Sequence, residues 1–172
     1  MSTAYIGLGS NLDDPLQQLK RAMNELGELA EDGIECSSLY RTGPIGLADQ
    51  PDFLNAVCRI ETGLGPEELL ARLLQIEAKH GRRRDGLRDG PRTLDLDLLL
   101  YDDRVLSSAG LSLPHPRLHE RAFVLYPLFE LNPELSVPGH GPVAELMRAC
   151  RDQRIERLDS GHAQGRGPAS QT

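Results

Sequence analysis

Two aspartates, Asp95 and Asp97, stand one residue apart in the run Leu94-Asp95-Leu96-Asp97-Leu98-Leu99-Leu100-Tyr101. In an extended strand, residues two apart point to one face. Both carboxylates therefore project together, while Leu94, Leu96 and Leu98 project the other way. A half-exposed strand turning its polar side to water would show the same pattern. The apolar sequel through Tyr101, however, reads as buried on both faces. Two adjacent carboxylates at the end of such a central strand repel one another unless a cation lies between them. Hard oxygen ligands with only two protein carboxylates suit Mg²⁺, whose other positions go to water and substrate phosphates. Just upstream, Arg82, Arg83, Arg84, Arg88 and Arg92 crowd one segment, offset only by Asp85 and Asp89. Guanidinium forks grip phosphate oxygens bidentately, which a lysine cannot do. Metal and arginines on a polyphosphate are the means of phosphoryl transfer, although a solvated surface loop would also accommodate the arginines.

Other candidates carry less. Glu77 interrupts the apolar stripe of its helix, so it either reaches water at the edge of that face or accepts a bond from a ligand. Edge exposure is the commoner outcome. His115, in LPHPRLHER, is held between prolines, as suits a positioned donor or a surface turn. Gly7-Leu8-Gly9-Ser10-Asn11 lacks the third glycine of a dinucleotide fingerprint and reads better as a tight strand-to-helix turn. Cys36, Cys58 and Cys150 match neither a zinc pattern nor a disulfide framework, and read as small buried residues in a reducing compartment.

The elements that must position these residues follow from periodicity. The 172 residues are 39% hydrophobic and 26% charged, with a net charge of −7, which fits one globular domain. The acidic balance and the 4% aromatic content argue against nucleic acid as a partner. No apolar run approaches the ~20 residues of a membrane span, and the N-terminus does not read as a signal peptide. A cytoplasmic monomer is expected. Thr3 to Leu8 reads as a strand. Asp13 or Asp14 caps a helix with Pro15 in its first turn and Leu16, Leu19, Met23, Leu26 and Leu29 on its apolar face. Ile34 to Tyr40 and Phe53 to Thr62 read as further strands. Pro66 opens a second helix with Leu69, Leu70, Leu73, Leu74 and Ile76 on its buried side. Leu94 to Tyr101 is the fourth strand. The order β-α-β-β-α-β is the split pattern of a ferredoxin-like α+β sandwich, two helices packing on one face of an antiparallel sheet. A helical extension follows: Glu120 to Leu131, with Pro127 expected to end or kink it, then Pro142 to Arg151. An edge strand at Ile155 to Leu158 closes a domain spanning 1–158. Residues 159–172 are small and polar and read as a disordered tail. The connections 41–52 and 81–93 exceed usual loop lengths, as functional loops do.

At Arg88-Asp89-Gly90-Pro91-Arg92-Thr93-Leu94-Asp95-Leu96-Asp97-Leu98-Leu99 the chain resembles the 6-hydroxymethyl-7,8-dihydropterin pyrophosphokinase family. YIGLGSN, SSLYRTGPIG, DQPDFLNAV, PEELL and LPHPRLHERAFVLYPLFEL resemble further segments of that family, in its order, over roughly residues 3–158. The resemblance implies a ferredoxin-like domain that transfers pyrophosphate from ATP to a pterin hydroxymethyl group, releasing AMP, in folate biosynthesis. It implies two Mg²⁺ ions on Asp95 and Asp97, with Arg82 and Arg92 on phosphate and Arg84 a mobile helper. Glu77, Leu98, Ser112, His115 and Arg121 match positions that meet ATP. Phe53 and Phe123 match the aromatic pair that sandwiches the pterin, and Asn55 the side chain that bonds its amide edge. Thr42, Pro44 and Ile45 would lend main-chain contacts. The chain departs from the family pattern at Asp89, where relatives carry a loop tryptophan, and at Gly43, Gly110 and Pro116. Those departures imply altered affinity or loop kinetics, with the carboxylate pair intact.

Overall fold

Side-chain alternation along the first strand decides the architecture. In β1 (Ser2–Ser10), Ala4, Ile6 and Leu8 join one apolar cluster, while Tyr5 joins another on the opposite face of the sheet. A strand apolar on both sides needs a layer over each face. The computed structural model describes residues 1–43, 52–81, 94–108 and 110–158. After β1 come α1 (Pro15–Gly27), β2 (Ile34–Cys36), β3 (Leu39–Thr42), β4 (Phe53–Thr62), α2 (Pro66–Lys79) and β5 (Asp95–Tyr101). Then follow β6 (Leu106–Ser108), β7 (Leu111–Leu113), α3 (Ala122–Leu131), β8 (Ser136–Val137), β9 (Gly141–Pro142), α4 (Val143–Ala149) and β10 (Ile155–Leu158). The main sheet runs β10-β3-β4-β1-β5, with β2 also on β4, and its pairings are antiparallel.

One face is covered by α1 and α2, as expected. Asp14 caps α1, its Oδ1 accepting from Gln17 N at 3.4 Å, with Pro15 beginning the helix. The buried side of α1 is Leu19, Ala22, Met23 and Leu26, and Leu16 is exposed instead. On α2 the buried stripe is Leu69, Leu73, Ile76 and Glu77, while Leu74 faces solvent. The C-terminal extension supplies the other layer, with Val124, Leu125 and Leu128 of α3 and Val143 of α4 packed on Tyr5, Val57, Leu99 and Leu100. Pro127 does not end α3, which continues to Leu131. An internal proline loses one backbone bond and crowds the carbonyl four residues back, at a cost of about 3 kcal/mol, and burial of Val124, Leu125, Pro127 and Leu128 offsets it.

Two irregularities shape the sheet. The expected strand 34–40 divides into β2 and β3, because Cys36 pairs with Cys58 but Tyr40 pairs with Asn55. One extra residue on the first side makes a bulge at Ser37–Ser38, which turns Ser38 N toward α3. There the Glu130 carboxylate accepts from Ser38 N (3.0 Å), Ser38 Oγ (2.9 Å) and Tyr40 Oη (2.8 Å), with Arg157 Nη2 at 3.4 Å. Burial, with the Glu130 bond, holds the Tyr40 phenol well above its usual pKa. The second irregularity corrects the cysteine reading: Cys36 and Cys58 face one another across β2 and β4 and form a disulfide, leaving Cys150 free and buried. Cross-strand neighbours lie close enough for that bond, a proximity that the sequence spacing does not reveal.

Glu130→Ala should lower unfolding stability by about 2 kcal/mol, since it strips a charged acceptor from Ser38 and Tyr40. Urea denaturation checks this, and an unchanged midpoint would count against Glu130 as the tie between α3 and β3.

Candidate active site

The floor of the candidate site is one row of residues across the sheet. Tyr40 pairs with Asn55, Asn55 with Gly9, and Gly9 with Asp95. One step along, Val57 and Asp97 flank Gly7. Strand alternation places Phe53 and Asn55 of β4 and Asp95 and Asp97 of β5 on the face that α3 covers. Between these side chains the floor is glycine. A Cβ added at Gly9 would come within 3.1 Å of Asn55 Oδ1, so a larger residue would crowd the carboxamide. Glycine inside a strand commonly marks such a close approach. Asn55 is buried, its Nδ2 donating to Thr42 Oγ1 at 2.9 Å. The facing wall is the start of α3, with Arg121, Phe123 and Val124. The Arg121 guanidinium lies 5.4 Å from the centre of the Phe123 ring, within cation–π range.

The acidic side is set by β5, which forms an edge of the sheet rather than its centre. Its outward backbone groups are therefore open to other elements. Leu96 N donates to Glu77 Oε2 of α2 at 2.7 Å, and His115 N donates to Leu99 O at 2.9 Å. Glu77 is thus buried, with only 3% of its surface exposed, which overturns the expectation that it reaches water at the helix edge. A one-residue bulge follows, since Tyr5 pairs with Leu100 and Ile6 with Leu98. His115 Nε2 stands 3.9 Å from Asp97 Oδ1, while its Nδ1 accepts from Arg117 N at 3.2 Å. In the neutral ring the proton therefore sits on Nε2, toward the aspartate. Burial, reinforced by the Arg121 charge, lowers the His115 pKa to about 4.

The cleft thus unites Thr42, Phe53, Asn55, Asp95, Asp97, Arg121 and Phe123, and His115 adjoins it through Asp97. Leu98 turns its side chain into the α1–α2 core, so only its main chain could meet a ligand. Ser112 sits on β7, opposite Ser107. Pro44, Ile45, Arg82, Arg84 and Arg92 lie outside the described residues. Gly7 and Gly9 are site residues that the sequence alone does not single out, since GLGSN reads as a strand-to-helix turn. Both belong to β1, and their spacing of two inside an apolar strand was the available signal. Gly110 has φ +87° in the β6–β7 hairpin, a conformation that favours glycine.

Paired carboxylates thus face an arginine and an aromatic ring across a glycine floor. The sequence model of 7,8-dihydro-6-hydroxymethylpterin-pyrophosphokinase (HPPK) matches residues 5–133, and the chain belongs to this family. It is 46% identical over 155 residues to the 2-amino-4-hydroxy-6-hydroxymethyldihydropteridine pyrophosphokinase of Pseudomonas aeruginosa, covering 90% of this chain and 95% of that one. To the Bacillus subtilis protein of the same name it is 46% identical over 129 residues, 74% of this chain and 77% of the relative. Among solved structures it resembles the Plasmodium falciparum HPPK-DHPS wild type with SDX-DHP at a TM-score of 0.66 and 16% identity. That match covers 86% of this chain but 44% of the longer one.

The His115 assignment has a measurable sign. Between its ordinary value of 6.5 and about 4, the unfolded chain binds a proton that the folded chain does not. Folding stability should therefore fall as pH drops through that window and level off below it. Denaturant titrations of the wild type and His115→Gln check this, the variant losing less stability between those limits. Equal slopes would contradict the assignment.

Proposed function

We propose that this chain transfers the pyrophosphoryl group of ATP to the hydroxymethyl oxygen of 6-hydroxymethyl-7,8-dihydropterin, releasing AMP, in folate biosynthesis. The observation that carries the reading is that Phe53, Asn55 and Phe123 line one cleft with the acidic pair Asp95 and Asp97, over a glycine floor. Phe53 and Phe123 stand on facing walls, and offset stacking between them suits a flat bicycle. Asn55, fixed through its Nδ2 by Thr42, keeps Oδ1 to accept from the amide edge.

Asp95 and Asp97 fit a Mg²⁺ pair. Both are half-buried oxygen donors on one face, and among the described residues no group of three or more metal-binding side chains converges. Two carboxylates leave positions for water and phosphate oxygens, as this cation prefers. When bound, the ions supply Lewis-acid polarisation of the phosphates and neutralise charge on the departing AMP. Arg121 brings a fixed positive charge beside Phe123, so the phosphate and pterin ends of the cleft adjoin. His115, neutral with its Nε2–H on the Asp97 side, can donate to a phosphate oxygen held there without adding charge. Arg82, Arg84 and Arg92 would complete the phosphate grip, Glu77 and the Leu98 and Ser112 positions would bound the ATP side, and Pro44 and Ile45 would contact the pterin. Much of the rate then comes from alignment of the hydroxyl on the β-phosphorus.

The strand order, with β2 and β3 taken as one interrupted strand, supports the ferredoxin-like reading. The chain is proposed to act as a cytoplasmic monomer, and no helix among the described residues is long and apolar enough to cross a membrane.

Purified protein with ATP, magnesium and the dihydropterin should form AMP, and absence of pterin-dependent AMP would sink the proposal. Asp97→Ala should lower kcat roughly a hundred-fold or more while the circular dichroism spectrum stays unchanged. Phe123→Ala should weaken pterin binding by about ten-fold, read by calorimetry, and wild-type affinity there would refute the stacking role.

A further inference from the structure

Arg121 occupies the N-cap of α3, yet an arginine side chain has no acceptor to offer the first helical N–H groups. Val124 N and Leu125 N both turn to Arg121 O, and Ala122 N needs another partner. That partner comes from the turn between α4 and β10. Gln153 Oε1 accepts from Ala122 N at 3.0 Å, and Gln153 Nε2 donates to Glu120 O at 2.8 Å. One carboxamide thus grips the backbone immediately before and immediately after Arg121. Its own base is tied down, since Gln153 N donates to Cys150 O at 3.0 Å. Held on both sides, Arg121 keeps an extended backbone, with φ −117° and ψ 114°, that aims its guanidinium across Phe123 into the cleft.

We propose that Gln153 is a positioning residue of the pyrophosphoryl transfer, setting the direction of Arg121 by clamping Glu120 and Ala122. The inference rests on the assignment of Arg121 to the ATP phosphates. Gln153 is exposed and lies outside the cleft lining, so its effect on the reaction must pass through the backbone that it holds. A carboxamide is needed because the two partners are one donor and one acceptor.

The test compares wild type, Gln153→Ala, Arg121→Ala and the double variant in steady-state assays with ATP, magnesium and dihydropterin. Gln153→Ala should lower kcat/KM for ATP roughly five-fold, the size of one lost helix cap. In the Arg121→Ala background the same change should cost almost nothing, because a residue acting through another is non-additive with it. Gln153→Met, which keeps length and loses both bonds, should repeat the loss while staying folded, its melting temperature lower by only about 2–4 °C. An equal loss in both backgrounds, or no loss in a folded Gln153→Met, would overturn the proposal. No effect of Arg121→Ala alone would instead remove the phosphate assignment of Arg121, and the inference with it.

Discussion

A carboxylate inside an apolar core persists only where something donates to it, and Glu77 is held by the Leu96 N–H. That N–H is available because β5 is an edge strand, with no strand beyond it among the described residues. The bond falls between Asp95 and Asp97 along the chain, so it ties α2 to the point from which both aspartates project. The His115 backbone covers the same edge further along. An edge left open would be a liability, and here its covering also fixes the direction of the acidic pair.

The opposite wall obeys a different logic. The sheet side is held by strand pairing, β1 being paired with β4 along all of Ser2–Ser10, whereas α3 is a helix of ten residues laid over an apolar face. Apolar packing has little direction, so polar ties at its ends must set its position. Glu130 joins the far end to the bulge at Ser38 and to Tyr40. Gln153 joins the near end to the α4–β10 turn. The cleft exists because two independently anchored layers meet over glycine.

Much of this was legible in the sequence where the determining physics is local. The Asp14-Pro15 cap, the strand alternation at Asp95 and Asp97, and the edge strand Ile155–Leu158 all depend on neighbours in the chain. Periodicity failed at Leu16 and Leu74, which continue an apolar stripe but sit beyond the part that packing reaches. Glu77 was misplaced because its partner is a backbone group nineteen residues on. The Cys36–Cys58 bond depends on register, which a bulge shifts, and no spacing rule shows where a bulge falls. Gly9 falls beyond the expected end of β1 at Leu8, because glycine reads first as a breaker and only second as a clearing in a sheet.

The extra residue at Leu99 decides which way the far end of β5 faces. Asp97 and Tyr101 stand four residues apart, a spacing that a regular strand would turn to a single face. The bulge breaks that alternation. Asp95, Asp97 and Leu99 face α3, and Leu100 faces it too, while Tyr101 returns to the first core and donates to Leu64 O. A straightened strand of the same length would have to choose, either turning the carboxylates into the α1–α2 core or expelling the tyrosine. The bulge lets both keep their places, so one strand carries chemistry on one face and its anchor on the other.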